Sequence, residues 1–88
     1  MSKNDDLRLI FIINGQDFVV ESSSHKPLSE AVKRALTQSD NLGRPVEEWE
    51  VRDASGVLLE QSRSPKDLNL HQGTRLFLSL RVGAGGVE

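Results

Sequence analysis

The stretch Thr74–Glu88, TRLFLSLRVGAGGVE, combines a regular strand pattern with a glycine-rich end. Apolar and other side chains alternate up to position 82, as in a β-strand with one buried face. The predicted core face carries Leu76, Leu78, Leu80 and Val82, and the opposite face carries Arg75, Phe77, Ser79 and Arg81. From Gly83 onward, three of four residues are glycine, which adds nothing to packing. We therefore expect either a frayed terminus or a segment that another protein holds by its backbone.

A predicted hairpin near the start of the chain supplies two further strands. Residues 7–13 and 17–21 are rich in branched and aromatic side chains and flank Asn14-Gly15, a dipeptide typical of two-residue turns. This turn pairs Ile13 with Gln16 and Phe11 with Phe18. The expected core face carries Leu9, Phe11, Phe18 and Val20, and the other, partly exposed face carries Ile10, Ile12 and Val19.

One helix is predicted after the hairpin. Pro27 suits the first helical position, where its missing N–H is not needed, although Lys26 before it is a poor cap. Apolar residues then recur at helical spacing and form one stripe, and the Asp, Asn, Gly and Pro residues of 39–45 indicate a stop. The stripe consists of Leu28, Val32, Ala35 and Leu36.

The remaining chain predicts two short strands before the last one. Residues 46–52 alternate, with Trp49 and Val51 on one face, and a turn at 53–56 leads to a strand at 57–60. Leu68 and Leu70 are expected to anchor the long connection that follows. The order is β-β-α-β-β-β, and the helical crossover allows the last strand to lie parallel beside the first. This predicts an α+β fold of the β-grasp type at residues 7–82, after a flexible lead at 1–6 and before a flexible tail at 83–88.

Composition limits the classes of function. With 88 residues, 36% apolar and 27% charged, the chain suits one small globular domain without room for the deep pocket of a complete enzyme. It has no cysteine, which excludes disulfides, thiolate metal sites and a catalytic Cys. A net charge of −2 without a basic cluster disfavours nucleic-acid binding, and no segment suits a membrane span or secretory signal. We expect a cytoplasmic monomer.

The order of elements and the last strand resemble ubiquitin. TRLFLSLRVGAGG is similar to ubiquitin's last strand and diglycine tail, with Leu76, Leu78, Leu80 and Arg81 matching its leucine and arginine pattern and Ala84 as an extra small residue. The stretches FIINGQDFVVE and PLSEAVKRAL resemble bacterial ubiquitin-like proteins of Bub-type operons, which are related to multiubiquitin domains. Those operons also encode E1-like, E2-like and deubiquitinase-like enzymes. An antiviral role is the corresponding expectation.

The resemblance implies that the tail is the reactive part. An E1-like enzyme would activate a C-terminal glycine carboxylate with ATP, an E2-like enzyme would take part in conjugation, and this chain would be the substrate without catalytic residues or a cofactor of its own. Gly85 and Gly86 suit a narrow channel because glycine lacks Cβ. Val87 and Glu88 follow them, so we expect a precursor that a deubiquitinase-like peptidase cuts after Gly86 before transfer to an unknown target protein.

The resemblance also implies a partner-binding face. The positions that correspond to ubiquitin's recognition surface are Glu50, Phe77 and Ser79, with Arg75 and Arg81 beside them. An exposed Phe among charges is typical of an interface. We expect this face to bind dedicated partners and not ordinary ubiquitin receptors, and Arg81 to take part in E1 recognition.

Two other functions stay open at this point. A β-grasp sulfur carrier, with a thiocarboxylate on its last glycine, would share fold and activation but normally ends at Gly-Gly. A non-conjugated adaptor would only bind proteins. Metal binding is disfavoured because His25 and His71 are isolated in sequence. The lysines at 3, 26, 33 and 66 offer no basis for choosing a conjugation site.

Overall fold

The computed structural model describes residues 6–41 and 43–81. In chain order its elements are β1 (Asp6–Ile13), β2 (Gln16–Ser23), α1 (Leu28–Gln38), a short 3-10 helix (Val46–Glu48), β3 (Trp49–Arg52), β4 (Leu58–Leu59) and β5 (Arg75–Leu80). The strands form one five-stranded sheet with the order β2-β1-β5-β3-β4. This is the predicted α+β arrangement of a β-grasp.

The β1–β2 hairpin has the register that the sequence predicts. Asn14 and Gly15 have φ values of 53° and 81°, as a two-residue turn with two left-handed residues requires. Ile13 therefore pairs with Gln16, and Phe11 with Phe18. Leu9, Phe11 and Val20 are buried as predicted, whereas Phe18 on the edge strand is only half-buried.

Strand β5 lies in the middle of the sheet. It runs parallel to β1, with Phe11 beside Leu76 and Ile13 beside Leu78, and antiparallel to β3 on its other side. The parallel pairing of the first and last strands confirms the prediction from the helical crossover. Because β5 has a neighbour on both sides, its position in the sheet is fixed along its length.

The helix covers one face of the sheet and completes the core. All four residues of the predicted stripe are buried, together with Ala31. They join side chains from the four longer strands in one apolar cluster, and Leu68 and Leu70 pack against it from the connection between β4 and β5. The helix and sheet therefore share a single core.

The start of α1 differs from the prediction by one residue. Pro27 occupies the capping position and makes no side-chain cap, and the helix begins at Leu28. The Leu28 and Ser29 N–H groups donate instead to the carbonyls of Arg63 and Gln61, at 2.9 and 3.0 Å. A distant segment thus satisfies backbone groups that a local cap would usually bind.

Three further expectations need correction. Residues 46–48 form a 3-10 helix, so β3 begins only at Trp49, and the predicted strand at 57–60 is reduced to the two residues of β4. Leu80 lies on the core side of β5 but is 41% exposed, because it pairs with Trp49 at the edge of the sheet where β5 ends and β3 begins. The predicted core residue Val82 lies outside the described residues.

Helices in the described ranges are all too short or too polar to cross a membrane.

Candidate protein-binding face

The sheet face opposite α1 carries the side chains that the sequence assigns to partner binding. Strand alternation turns Phe77 and Ser79 away from the buried Leu76 and Leu78. The register then sets Glu50 of β3 opposite Ser79, and Arg52 opposite Phe77. Glu50, Phe77 and Ser79 are therefore neighbours on one surface, which we call the outer face.

An apolar area occupies the part of the outer face formed by β1, β2 and β5. Phe77 is 42% exposed and lies beside Ile12 of β1, while Val19 of β2 is 50% exposed and lies beside Ile10. Ile10 and Ile12 are half-buried. Four apolar side chains on neighbouring strands form a larger contact area than isolated surface residues do.

One ion pair crosses this apolar area, and a second lies beside it. Arg75 approaches Asp17 to 3.4 Å and reaches across β1 to do so, since Arg75 belongs to β5 and Asp17 to β2. Arg52 lies 2.9 Å from Glu50 on the opposite side. These side chains are partly exposed, so each pair contributes about 0–1 kcal/mol to stability. The outer face thus combines exposed apolar side chains with charged ones, as protein interfaces do.

Arg81 lies where β5 ends and the tail sequence begins. Its N–H donates to the carbonyl of Glu48 at 2.8 Å, which holds the chain against the 3-10 helix as it leaves the sheet. The Arg81 side chain is exposed. The predicted processing and conjugation residues Gly85, Gly86 and Val87 lie outside the described residues, as does the rest of the tail at 83–88.

Four apolar residues of this face are not among the partner-binding residues that the sequence predicts. Ile10, Ile12 and Val19 lie on the partly exposed side of the hairpin, as predicted, and the parallel β1–β5 pairing sets Ile12 beside Phe77 and Ile10 beside Arg75. Leu58 is 55% exposed and pairs with Arg52. The predicted hairpin register was enough to place Ile10, Ile12 and Val19 on this face, whereas nothing in the sequence indicated the register of β4.

No group of three or more His, Asp or Glu residues within 6–41 and 43–81 could hold a metal ion. His25 and His71 are both exposed and belong to separate loops. The arrangement of the outer face suits contact with another protein.

Comparison with known proteins identifies the fold and the family. A protein designed de novo on the basis of ubiquitin aligns with a TM-score of 0.76 and 21% identity, over 94% of this chain and 98% of that one. The ubiquitin-like domain of an Arabidopsis thaliana protein aligns with a TM-score of 0.70 and 13% identity, over 92% of this chain and 83% of that one. At these identities the likeness establishes the ubiquitin-like fold.

Sequence comparison gives one curated relative and one family. The uncharacterized protein y4jI of Sinorhizobium fredii is 34% identical over 80 residues, which are 91% of this chain but 62% of the relative. This chain thus spans less than two thirds of the relative's length. Residues 2–86 match the model of a family described as proteins of unknown function, DUF2604. The chain is a ubiquitin-like member of the DUF2604 family.

Proposed function

We propose that this protein is the precursor of a ubiquitin-like modifier that partner enzymes cut, activate and attach to other proteins. The observation that carries the proposal is the end of β5. This central strand leads to Arg81 at the rim of the sheet, and Gly85-Gly86 follows four residues later in the sequence. A reactive carboxylate at Gly86 would thus follow a strand that is paired on both sides.

The proposed chemistry needs a free carboxylate on Gly86. A peptidase hydrolyses the Gly86–Val87 bond and releases the segment that begins with Val87. The new carboxylate attacks the α-phosphorus of ATP, which releases pyrophosphate and forms an acyl adenylate on an E1-like enzyme. A nucleophile on the enzyme then takes the acyl group and AMP leaves. Glycine at positions 85 and 86 leaves the carbonyl open to attack.

The family comparison supports this division of the chain. The segment that matches the DUF2604 model ends at Gly86, so Val87 and Glu88 lie outside it. The ubiquitin-like fold also supports the proposal, because the resemblance to ubiquitin extends from the last strand to the whole domain. We further propose that the protein works in the cytoplasm of a bacterium, within a Bub-type system that has E1-like, E2-like and deubiquitinase-like enzymes and an antiviral role.

The outer face is the proposed docking surface for these enzymes. Phe77 and Val19 are apolar and exposed on this face, and Glu50 and Arg75 provide charge. A glutamate lies opposite Ser79 on this face. A partner whose binding site fits an apolar side chain at position 50 would therefore contact the carboxylate of Glu50. This supports recognition by dedicated partners.

Mass spectrometry of the whole chain tests the proposal. The chain is incubated with ATP and the E1-like, E2-like and peptidase proteins of the same genome, with a Gly86→Pro variant as the matched control. We expect removal of Val87-Glu88 followed by a covalent adduct through Gly86, and neither with the control. An unchanged mass contradicts the proposal and favours an adaptor. Exchange of one oxygen for sulfur contradicts conjugation and favours a sulfur carrier.

Arg81 provides a second test of activation. We expect Arg81→Glu to slow adenylation, measured as ATP–pyrophosphate exchange with the E1-like enzyme on a chain that ends at Gly86. The exposed side chain makes no ion pair within the described ranges, so the free energy of unfolding should stay the same. Arg63→Glu, which changes an exposed arginine on the β4–β5 connection, is the control. Equal exchange rates for both variants would refute the role of Arg81.

A further inference from the structure

A groove of about 470 Å³ lies beside the outer face, between the first half of α1 and the β3–β4 hairpin. One wall consists of residues 60–62 and the helix residues Ser29 and Lys33. The other consists of Val46, Glu47, Trp49, Glu50 and Arg81. The volume falls within the range of about 300–1,000 Å³ that is usual for ligand sites. The groove is therefore large enough to hold one large side chain and the backbone on either side of it.

The lining of the groove is apolar at its centre. Trp49 is buried to all but 6% of its surface, Val46 and Leu59 pack against the core, and Leu58 is 55% exposed at the margin. Exposed leucine next to a tryptophan-lined hollow leaves apolar surface in contact with water. A large apolar side chain of a ligand would cover that surface.

Two polar atoms of the groove residues lack hydrogen-bond partners. The indole Nε1 of Trp49 is a donor and the Oε1 of Gln61 is an acceptor, and both atoms are buried. The Gln61 amide is already held from its other side, because its Nε2 donates to the Trp49 carbonyl at 2.7 Å. A buried donor and a buried acceptor without partners are unfavourable, and a peptide group offers both complements, a carbonyl and an N–H.

The charges at the mouth of the groove are also unpaired. In the described part of the chain, neither Lys33 nor Arg81 forms an ion pair, and the same holds for Glu47 and Glu60. Each wall thus presents one free cation and one free carboxylate. This arrangement complements a segment that carries charged side chains of both signs on either side of an apolar anchor.

We propose that the groove binds an extended peptide segment of a partner protein. One large apolar side chain of the segment packs on Trp49 and Leu59. An adjacent peptide group bonds with Trp49 Nε1 and Gln61 Oε1 once the Gln61 side chain rotates and its bond to the Trp49 carbonyl breaks. Flanking acidic and basic residues pair with Lys33 and Glu47. The groove shares Glu50 and Arg81 with the surface proposed for the activating enzyme, but peptide binding in it does not depend on the proposed conjugation.

The single tryptophan makes the test direct, because its indole N–H gives one signal in the NMR spectrum of the whole chain. The probe is a library of random short peptides displayed on phage, from which binders are selected and synthesised. We expect the selected peptides to carry a large apolar residue between charged ones, and to shift the indole signal of Trp49 on titration.

A matched pair of variants locates the binding. Leu58 and Val57 are neighbours with the same 55% exposure, but only Leu58 is among the groove residues. We expect Leu58→Ser to weaken binding by about tenfold, the loss typical of a central interface side chain, and Val57→Ser to leave it unchanged. Lys33→Glu should weaken peptides with an acidic flank, and exchanging that flank for lysine should restore affinity.

Three outcomes would overturn the proposal. The selection yields no peptide that binds the soluble chain, or the selected peptides shift the amides of Val19 and Phe77 instead of the Trp49 indole, or Val57→Ser weakens binding as much as Leu58→Ser. Both variants change exposed side chains, so a folded spectrum is expected for each and separates a binding effect from unfolding.

Discussion

Asn14 and Gly15 both have a left-handed backbone. This conformation is unfavourable for a residue with a side chain, and only Asn14 has one. Gly15 has a φ of 81° and a free space of at least 4 Å where a Cβ would lie. A Gly15→Ala substitution is therefore strained by its backbone and not by a clash. We expect it to lower the free energy of unfolding by about 1 kcal/mol, measured by urea denaturation.

Gly43→Ala is the control for that experiment. Gly43 also has free space at the Cβ position, but its φ is not in the left-handed region. Alanine at such a position reduces the entropy of the unfolded chain, so the free energy of unfolding should stay equal or rise by up to about 1 kcal/mol. Equal destabilisation by both substitutions would show that the turn conformation is not the cause.

Leu78 and Leu80 belong to the same side of β5 but differ in burial. Leu78 is 5% exposed and pairs with Val51, whereas Leu80 is 41% exposed at the end of the strand. We expect Leu78→Ala to destabilise the protein by about 2–5 kcal/mol because it leaves a cavity. Leu80→Ala should cost about 1 kcal/mol or less, since water fills the space. Urea midpoints of the two variants that coincide would contradict this.

The sequence was sufficient to predict the structure where a residue pattern has one strong structural preference. The Asn-Gly turn fixed the hairpin register, and the alternation of Phe77 and Ser79 with leucines fixed which side of β5 is exposed. It was not sufficient to predict the exposure of Leu80, because that depends on where the neighbouring strand β3 begins. Alternation along a strand predicts the face of the sheet on which a side chain lies, whereas its burial depends on the residues that pack over that position.

The open edge of β2 is protected by side chains of α1. Arg34 donates to the carbonyl of Glu21 at 3.0 Å, and Gln38 donates to the carbonyl of Val19 at 3.2 Å. Unpaired backbone groups on an edge strand can pair with another chain. These two helix residues therefore reduce the number of edge groups that a second molecule could reach.

Removing both side chains should promote association. We expect an Arg34→Ala and Gln38→Ala double variant to form dimers or larger species at concentrations where the parent chain is monomeric, measured by light scattering after size-exclusion chromatography. Lys33→Ala removes the same positive charge from α1 without touching β2 and should stay monomeric. Identical scattering for the double variant and the parent would rule out edge protection.

The helix start shows why some elements cannot be placed from local sequence. Neither Lys26 nor Pro27 is a good cap, and the donors at Leu28 and Ser29 find their acceptors at Arg63 and Gln61. That pairing exists only after the chain has folded back over more than thirty residues. The outer face has the same property, since Ile12 and Phe77 meet only through the parallel pairing of β1 and β5.

The core contains residues of both the first and the last strand, and this determines how the protein unfolds. Leu9 and Phe11 near one end pack in the same cluster as Leu76 and Leu78 near the other, with α1 and Trp49 between them in sequence. When β1 and β5 separate, therefore, no part of the described fold keeps its packing. Small domains of this kind unfold as one cooperative unit.

This leads to a prediction for equilibrium unfolding in urea. The fluorescence of Trp49, the single tryptophan, reports on β3, and far-ultraviolet circular dichroism reports mainly on α1. We expect both signals to give the same midpoint and the same denaturant slope, because both elements rest on one core. The Leu78→Ala variant should shift both midpoints equally. A fluorescence midpoint below the dichroism midpoint would mean that the β3–β4 side opens first, and would contradict a single cooperative core.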